Sequence, residues 1–289
     1  MELKDAFVEL LRRGSTDLPP DVEQALHDAH RREEEGSAAK GVFESILENV
    51  SLARQNSTPI CQDTGSIIYY IDYPRSTDEL PLREAGTEAA REATRRYYLR
   101  PNAVNPVTGK NSGDNVGLNA PYFHFHQWDH DFVRVRLMLK GGGSENVGTQ
   151  YKLPDMSLGA GRDLAGIRKC VLDAVHKAQG FGCAPGTIGV GIGGDRASSY
   201  IFSKEQFFRK LGSPNESPEL YEMEKKLYAD LNSLGIGPMG FGGKTTVLGV
   251  YIGAQHRHPA TFYVSVSYMC WAYRRKTMML KHGEVDYED

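Results

Sequence analysis

The apolar and polar positions divide the chain into a helical opening and a mixed remainder. Leu3, Phe7, Leu10 and Leu11 recur at helical spacing, and Pro19-Pro20 can open a second helix that runs to Gly36. Val42, Phe43, Ile46, Leu47 and Val50 share one face of a third helix, and Pro59 breaks the pattern. Residues 66–73 (SIIYYIDY) are rich in β-formers and predict a buried strand. A helix from about Leu82 to Tyr98 follows, and residues 100–116, dense in Asn, Pro and Gly, predict a loop. Residues 132–139 alternate, with Val133, Val135 and Leu137 on one face and Arg134 and Arg136 on the other; Lys140-Gly141-Gly142-Gly143-Ser144 closes that strand. Helices are predicted at about 161–179 and 217–234, and strands at 246–254 and 261–269. This order predicts a mixed α/β (α+β) fold, in which N-terminal helices precede mixed sheets flanked by helices. No repeat, coiled coil or low-complexity linker interrupts it. Residues 1–289 therefore read as a single domain, with 1–57 as its helical N-terminal part.

A net charge of −3 gives no basic face for nucleic acid or an anionic membrane. The 40% hydrophobic and 25% charged content excludes wholesale disorder. Glycine is the outlier: 31 of 289 residues exceed the usual ~7%, and they cluster in loops where backbone can approach a ligand closely. Glu2, Lys4, Asp5, Glu9, Arg12 and Arg13 make the N-terminus unlike a secretory signal, and no apolar run approaches the ~18 residues of a membrane helix. Four cysteines without a Cys-x-x-Cys pair are too few for a disulfide scaffold and fit a reducing compartment. The expectation is a cytoplasmic protein with a small-molecule substrate and no nucleic-acid or membrane partner.

Three of the cysteines sit at turns or strand ends. Cys61 lies in Thr58-Pro59-Ile60-Cys61-Gln62-Asp63-Thr64-Gly65, Cys183 follows Gly180-Phe181-Gly182, and Cys270 ends a strand before Trp271. Their separations match no local metal-binding pattern, so spacing alone leaves them as ordinary thiols. Cys170, beside Ile167, Val171 and Ala174 inside a helix, reads as a small core hydrophobe. Gly189, Gly191 and Gly194 satisfy a dinucleotide fingerprint formally, yet Pro185-Gly186 leaves no room for the strand that must precede it. Gly243-Lys244-Thr245 resembles the end of a phosphate loop, but Pro238 stands where its first glycine belongs. His256 and His258 flank Arg257 on an extended segment, where alternation points both rings to one side. A pair of hydrogen-bonded surface histidines is the plainer alternative. Arg274-Arg275-Lys276 reads most simply as a solvated charge run, although arginines near a site can grip a carboxylate.

Five motifs, in order, resemble the class I fumarases and the related L-tartrate dehydratases. They are Cys-Gln-Asp-Thr-Gly at 61–65, Lys-Gly-Gly-Gly-Ser-Glu-Asn at 140–146, the Cys183 turn, His258-Pro259, and Cys270-Trp271 with Arg274-Arg275. The resemblance is to the α subunit of the two-chain form, equivalent to the N-terminal half of the single-chain enzymes. It implies a 4Fe-4S cluster on Cys61, Cys183 and Cys270, with the cluster-binding loops converging on one site. It also implies a substrate pocket lined by Gln62, Asp63, Arg100, Gly143 and His258. Cys170 has no counterpart in it. The Cys183 turn reads Cys-Ala-Pro where many members read Cys-Pro-Pro. A catalytic threonine and further substrate-binding groups belong to the family's other half, for which this chain has no region, so a separate β subunit is implied, with two copies of each chain.

The chemistry follows from what the resemblance implies. A cluster held by three thiolates keeps one iron open as a Lewis acid for a 2-hydroxy acid. Elimination also needs a proton acceptor and a proton donor, and Asp63 is placed for proton traffic. His258 and Arg100 would pair with substrate carboxylates. The reaction expected is the reversible dehydration of malate to fumarate, with tartrate or mesaconate chemistry as the near alternative. A non-catalytic zinc-binding scaffold on Cys61, Cys183, Cys270 and His258 is the alternative from another class.

Overall fold

The structure is a computed structural model that describes residues 2–288. Three helices lead: α1 (Leu3–Thr16), α2 (Pro20–Arg32) and α3 (Ala38–Asn56). They are followed by β1 (Ser66–Pro74), α4 (Glu79–Arg95), β2 (Tyr122–Trp128) and β3 (Val133–Lys140). A short α5 (Gly142–Asn146) leads to β4 (Thr149–Lys152), α6 (Leu164–Ala178), β5 (Gly186–Ile192) and α7 (Arg196–Glu205). The remainder is α8 (Pro218–Asn232), β6 (Val247–Ala254), β7 (Tyr263–Met269), β8 (Arg274–Lys281) and β9 (Glu284–Glu288). The mixed α/β class is as expected. The chain divides into two compact units: Met1–Pro20 with Glu48–Gly142 and Ala272–Asp289 form unit 1, and Asp21–Leu47 with Gly143–Trp271 form unit 2.

Unit 1 is a five-stranded sheet in the order β2-β1-β3-β8-β9, parallel between β1 and β2 and antiparallel elsewhere. Alternation sorts its two faces. Ile67, Tyr69, Ile71, Val135, Leu137 and Leu139 turn to one side, where Phe7, Leu10 and Leu11 of α1 and Leu82, Ala89 and Ala93 of α4 complete the core. On the other side, buried Asp72 accepts from Arg134 at 2.9 Å, pairs with Arg136 at 3.2 Å and meets His126 at 3.2 Å. The two arginines share the face that their spacing predicts, and a buried carboxylate explains why.

Unit 2 is a four-stranded sheet in the order β4-β7-β5-β6, with β5 and β6 parallel. Its apolar core joins Ile188 and Val190 of β5, Val264 and Val266 of β7, Cys170 and Val171 of α6, and Leu227 and Leu231 of α8. The opposite face of β5 and β7 is built of glycine and serine, and α7 lies directly on it. Ser199 Oγ donates to the Gly191 carbonyl at 3.1 Å and meets Ser265 Oγ at 2.8 Å, while Ser203 and Ser267 meet at 2.7 Å.

Several expectations are corrected. Residues 186–192 form a full strand, missed because their glycines read as a loop; those glycines seat α7 against the strand. Residues 274–276 are not solvated: β8 buries Arg274, Arg275 and Lys276 inside the unit 1 sheet. The helix expected at 82–98 runs from Glu79 to Arg95, because the Asp78 carboxylate caps the Leu80 N–H. The second helix stops at Arg32 rather than at Gly36. β2, β4, β9, α5 and α7 were not foreseen.

The close seating of α7 on β5 is testable. A Cβ at Gly191 would stand 2.2 Å from the Ser199 carbonyl oxygen, and one at Gly189 would stand 2.1 Å from that of Ser203. Gly191→Ala should therefore lower the unfolding free energy by about 1–3 kcal/mol, as overpacking does, read from the urea midpoint. An unchanged midpoint would mean that α7 does not rest on this backbone.

Candidate active site

Cys61 sits on a turn held from several sides within unit 1. The Ile60 N–H donates to the Ser15 carbonyl at 2.9 Å, and Asn49 Nδ2 donates to the Ile60 carbonyl at 2.7 Å. Two residues beyond Cys61, each carboxylate oxygen of Asp63 accepts a backbone N–H: Oδ1 from Gly65 at 3.0 Å and Oδ2 from Gly142 at 2.7 Å. The turn-forming role expected of an aspartate before glycine is present, and it extends to the glycine run at the end of β3. Gly65 has φ +83°, and a Cβ there would lie 2.8 Å from the Lys140 backbone, so only glycine allows this approach.

Thr64 is fully buried and links the turn to the 100–116 loop. Its Oγ1 accepts from the Arg100 N–H at 3.1 Å and from Asn102 Nδ2 at 2.9 Å. Asn115, also buried, donates to Thr94 Oγ1 and to the Arg100 carbonyl at 2.8 Å each, and it accepts from the Asn102 N–H at 2.7 Å. The asparagines that mark this segment as a loop are what order it. Arg100 Nη1 reaches the Gln62 carbonyl at 3.4 Å. Cys61, Gln62 and Arg100 then line one cavity of about 600 Å³, with Pro59, Tyr97 and Leu99. A second cavity of about 520 Å³, in unit 2 between α2, α8 and β6, contains none of the expected site residues.

Unit 2 brings Cys183 and Cys270 to neighbouring positions. Cys183 adopts a left-handed φ of +57°, and its carbonyl accepts from the Trp271 N–H at 3.1 Å, next to Cys270 at the end of β7. Tyr268 is the template for both. Cβ atoms on Gly182 and Gly186 would fall 2.6 and 2.2 Å from its ring, so two glycines let the turn wrap it. Burial first, and then the nearby Cys270 and Cys183 sulfurs, push the Tyr268 hydroxyl to higher pKa. Gly143 belongs to this neighbourhood, because a Cβ there would meet the Phe181 carbonyl at 3.3 Å.

His258 is exposed in a loop between β6 and β7 that is not part of either strand, so no strand alternation aligns it with His256. Its Nδ1 accepts the Ala260 N–H at 3.1 Å, which leaves Nε2 as the outward edge. Arg257 ties down the same loop by donating to the carbonyls of His258, Pro259 and Thr261. Cys170 is wholly buried, and burial pushes its thiol up to about 12, as a core residue requires.

Tyr268, Thr64 and Asn115 are positions that sequence reasoning missed, and the burial of Arg274 is a fourth such feature. The available signal for Arg274 was slight: a basic run, Arg274-Arg275-Lys276, leading into the apolar Met278-Met279-Leu280. No disulfide involves any of the four cysteines. Among the described residues, no group of three or more His, Cys, Asp or Glu is arranged to hold a metal ion. The donor chemistry nevertheless suits iron and sulfide, with three thiols at turns or a strand end, two of them adjoining at Tyr268. Among the described residues, no helix is long and apolar enough to cross a membrane.

The sequence profile of the fumarate hydratase (Fumerase) family matches residues 4–279. A Geobacillus stearothermophilus protein named as a class I fumarate hydratase is 48% identical over 95% of the chain, which spans only 54% of that relative's length. A Methanocaldococcus jannaschii protein named as an L(+)-tartrate dehydratase subunit alpha is 34% identical, with 97% of this chain and 98% of that one covered. The L(+)-tartrate dehydratase subunit alpha of Escherichia coli K12 is 32% identical over 95% of the chain and 89% of its own length. With its motifs on these turns and the match running nearly end to end, the chain belongs to the fumarate hydratase (Fumerase) family.

Proposed function

We propose that the chain is the iron–sulfur subunit of a hydro-lyase that reversibly dehydrates a small 2-hydroxy dicarboxylate, with malate and fumarate as the pair. The observation that carries this is the unit 1 cavity, in which a thiol (Cys61), an amide (Gln62) and a guanidinium (Arg100) share a space of about 600 Å³. That volume lies within the range of small-molecule sites. Cys61, Cys183 and Cys270 are the residues that would hold a 4Fe-4S cluster, which supplies a Lewis-acidic iron for a hydroxyl and a carboxylate.

The chain's own groups have distinct tasks in this proposal. Arg100 offers a planar fork to a substrate carboxylate, and His258 offers Nε2 to it. Gln62 lines the unit 1 cavity, and the Gly143 backbone would offer the substrate a further contact. Asp63 moves the proton: a carboxylate retains free lone pairs after accepting two N–H groups, so its structural and proton-transfer roles are compatible. The 48% identity to the Geobacillus protein favours malate and fumarate. Near-complete coverage of two tartrate dehydratase α subunits favours tartrate as the second reading and supports a separate β chain. We place the enzyme in the cytoplasm as an assembly of two copies of each chain. Anaerobic assays of the two-chain enzyme on malate, tartrate and mesaconate decide the substrate. Brown protein absorbing at about 400 nm fits a cluster, whereas colourless protein holding one zinc fits the scaffold alternative.

Ligation predicts a sorted set of variants. Cys61→Ser, Cys183→Ser and Cys270→Ser should each lose most of the iron. Cys170→Ser should keep it, at a cost of about 1–3 kcal/mol in stability for a hydroxyl in an apolar site. Iron-free but well-folded Cys170→Ser would overturn the ligand set. Differential alkylation gives an independent check, because a thiol raised to about 12 stays protonated at pH 8. Iodoacetamide should label Cys61 in the native cluster-free chain and reach Cys170 only after unfolding.

Asp63→Asn separates chemistry from architecture. An amide cannot present two acceptors to Gly65 and Gly142, so the variant should melt lower whatever the role in catalysis. Proton transfer predicts in addition a fall in kcat of about 10²–10⁴-fold at normal iron content and nearly normal KM. His258→Asn should instead raise KM, because it weakens binding of the ground state and the transition state equally. A folded, iron-replete Asp63→Asn enzyme with kcat close to wild type would leave Asp63 a purely structural role.

A further inference from the structure

Arg274 begins β8 with its side chain only 1% exposed. Its Nη1 donates to the Asp63 carbonyl at 2.7 Å, and its Nε has no acceptor among the described residues. No described carboxylate lies within the 4.0 Å of an ion pair with it. The carboxylate of Asp63, on the same turn, already has each oxygen on a backbone N–H. Gly141 lies between them: a Cβ there would stand 3.1 Å from Asp63 Oδ2 and 3.6 Å from Arg274 Nη2. The glycine lets carboxylate and guanidinium flank one peptide without meeting.

The neighbouring cations of β8 have other outlets. Arg275 stacks over the Tyr273 ring at 4.7 Å. Burial lowers the pKa of Lys276, so that side chain can shed its proton more easily. A guanidinium has no such escape, because it stays charged at any ordinary pH. A permanent charge taken out of water destabilises a fold unless an anion faces it. Among the described residues Arg274 has no carboxylate within ion-pair reach, and it grips the turn that carries Cys61, Gln62 and Asp63.

We propose that Arg274 is a positioning residue for an anion held at the Cys61–Asp63 turn, fixing the turn through the Asp63 carbonyl and supplying it with a buried positive charge. The inference rests on the function proposed above, in which the anion is either the thiolate-bound cluster or the dicarboxylate.

Two variants test it. Arg274→Met removes the charge at similar volume, and Arg274→Lys keeps the charge without the planar fork. In the cluster-free chain, relief of an unpaired buried charge should offset the lost bond to the Asp63 carbonyl, so Arg274→Met should melt no lower than wild type. Melting below wild type would overturn the proposal, since a purely structural strut predicts that result. After anaerobic reconstitution with iron and sulfide, Arg274→Met should release iron to EDTA about tenfold faster if the cluster is the anion, with partial rescue by Arg274→Lys. Unchanged iron release with a KM for malate raised about tenfold in the two-chain enzyme would identify the dicarboxylate instead. Normal values of both would also overturn the proposal. If the wild-type chain takes up no iron, the cluster reading fails, and the melting comparison decides Arg274 by itself.

Discussion

The carboxylate of Asp63 divides its two oxygens between the N–H of Gly65 and that of Gly142, and the geometry of unit 1 around Cys61 depends on that division. One oxygen closes the turn on itself, while the other fastens it to the glycine run after β3. A neutral acceptor would make weaker bonds here, because hydrogen bonds to an ionised carboxylate are shorter and roughly twice as strong. Charge is thus used structurally beside a cavity that Cys61, Gln62 and Arg100 line. Arg274 reinforces the same turn through the Asp63 carbonyl. Gly65 is required because the Lys140 backbone leaves no space for a Cβ, and a Cβ at Gly141 would crowd the Asp63 carboxylate.

Unit 2 solves a comparable problem with an aromatic ring. Tyr268 stands between the end of β7 and the Cys183 turn, and Gly182 and Gly186 pack against its face. Cys183 is held in the left-handed region by this wrapping and by the Trp271 N–H on its carbonyl. A non-glycine residue in that region carries a cost of about 1–2 kcal/mol, which persists only where surrounding contacts fix it. The Cys183 turn and the end of β7 at Cys270 thereby meet at one tyrosine by packing rather than by sequence proximity.

The sequence was most readable where one periodicity dominated. α1 repeats and β3 alternates cleanly, β1 is an unbroken run of β-formers, and each element is present and packed into the core. Cys170 could be assigned to the core because its helical neighbours are apolar at the right spacing. Legibility failed where tertiary contact reversed the usual meaning of a residue. Gly189 and Gly191 look like loop formers but form a strand, because a helix backbone lies where side chains would go. Arg274, Arg275 and Lys276 look solvated but sit in a buried strand, each with a different way of accommodating charge. The candidate site residues were picked out through motifs shared with a family. The network of Thr64, Asn102 and Asn115 that orders them carries no signal beyond loop-like composition.

The four cysteines show how far environment, rather than residue type, sets chemical potential in this chain. Cys170 is enclosed by Ile167, Val171 and Ala174, and burial keeps its thiol protonated through the physiological range. Cys61 and Cys183 are partly open to solvent on turns stiffened by glycine and by backbone hydrogen bonds. A thiol becomes a good ligand when its thiolate is accessible and its position is fixed in advance, since ordering a flexible loop on binding would subtract from the affinity. The carboxylate clamp at Asp63 and the aromatic template at Tyr268 provide such fixation by different means. Part of the glycine content that first set this sequence apart therefore has a physical origin at these turns: Gly65, Gly182 and Gly186 each remove a side chain where the backbone closely approaches another group.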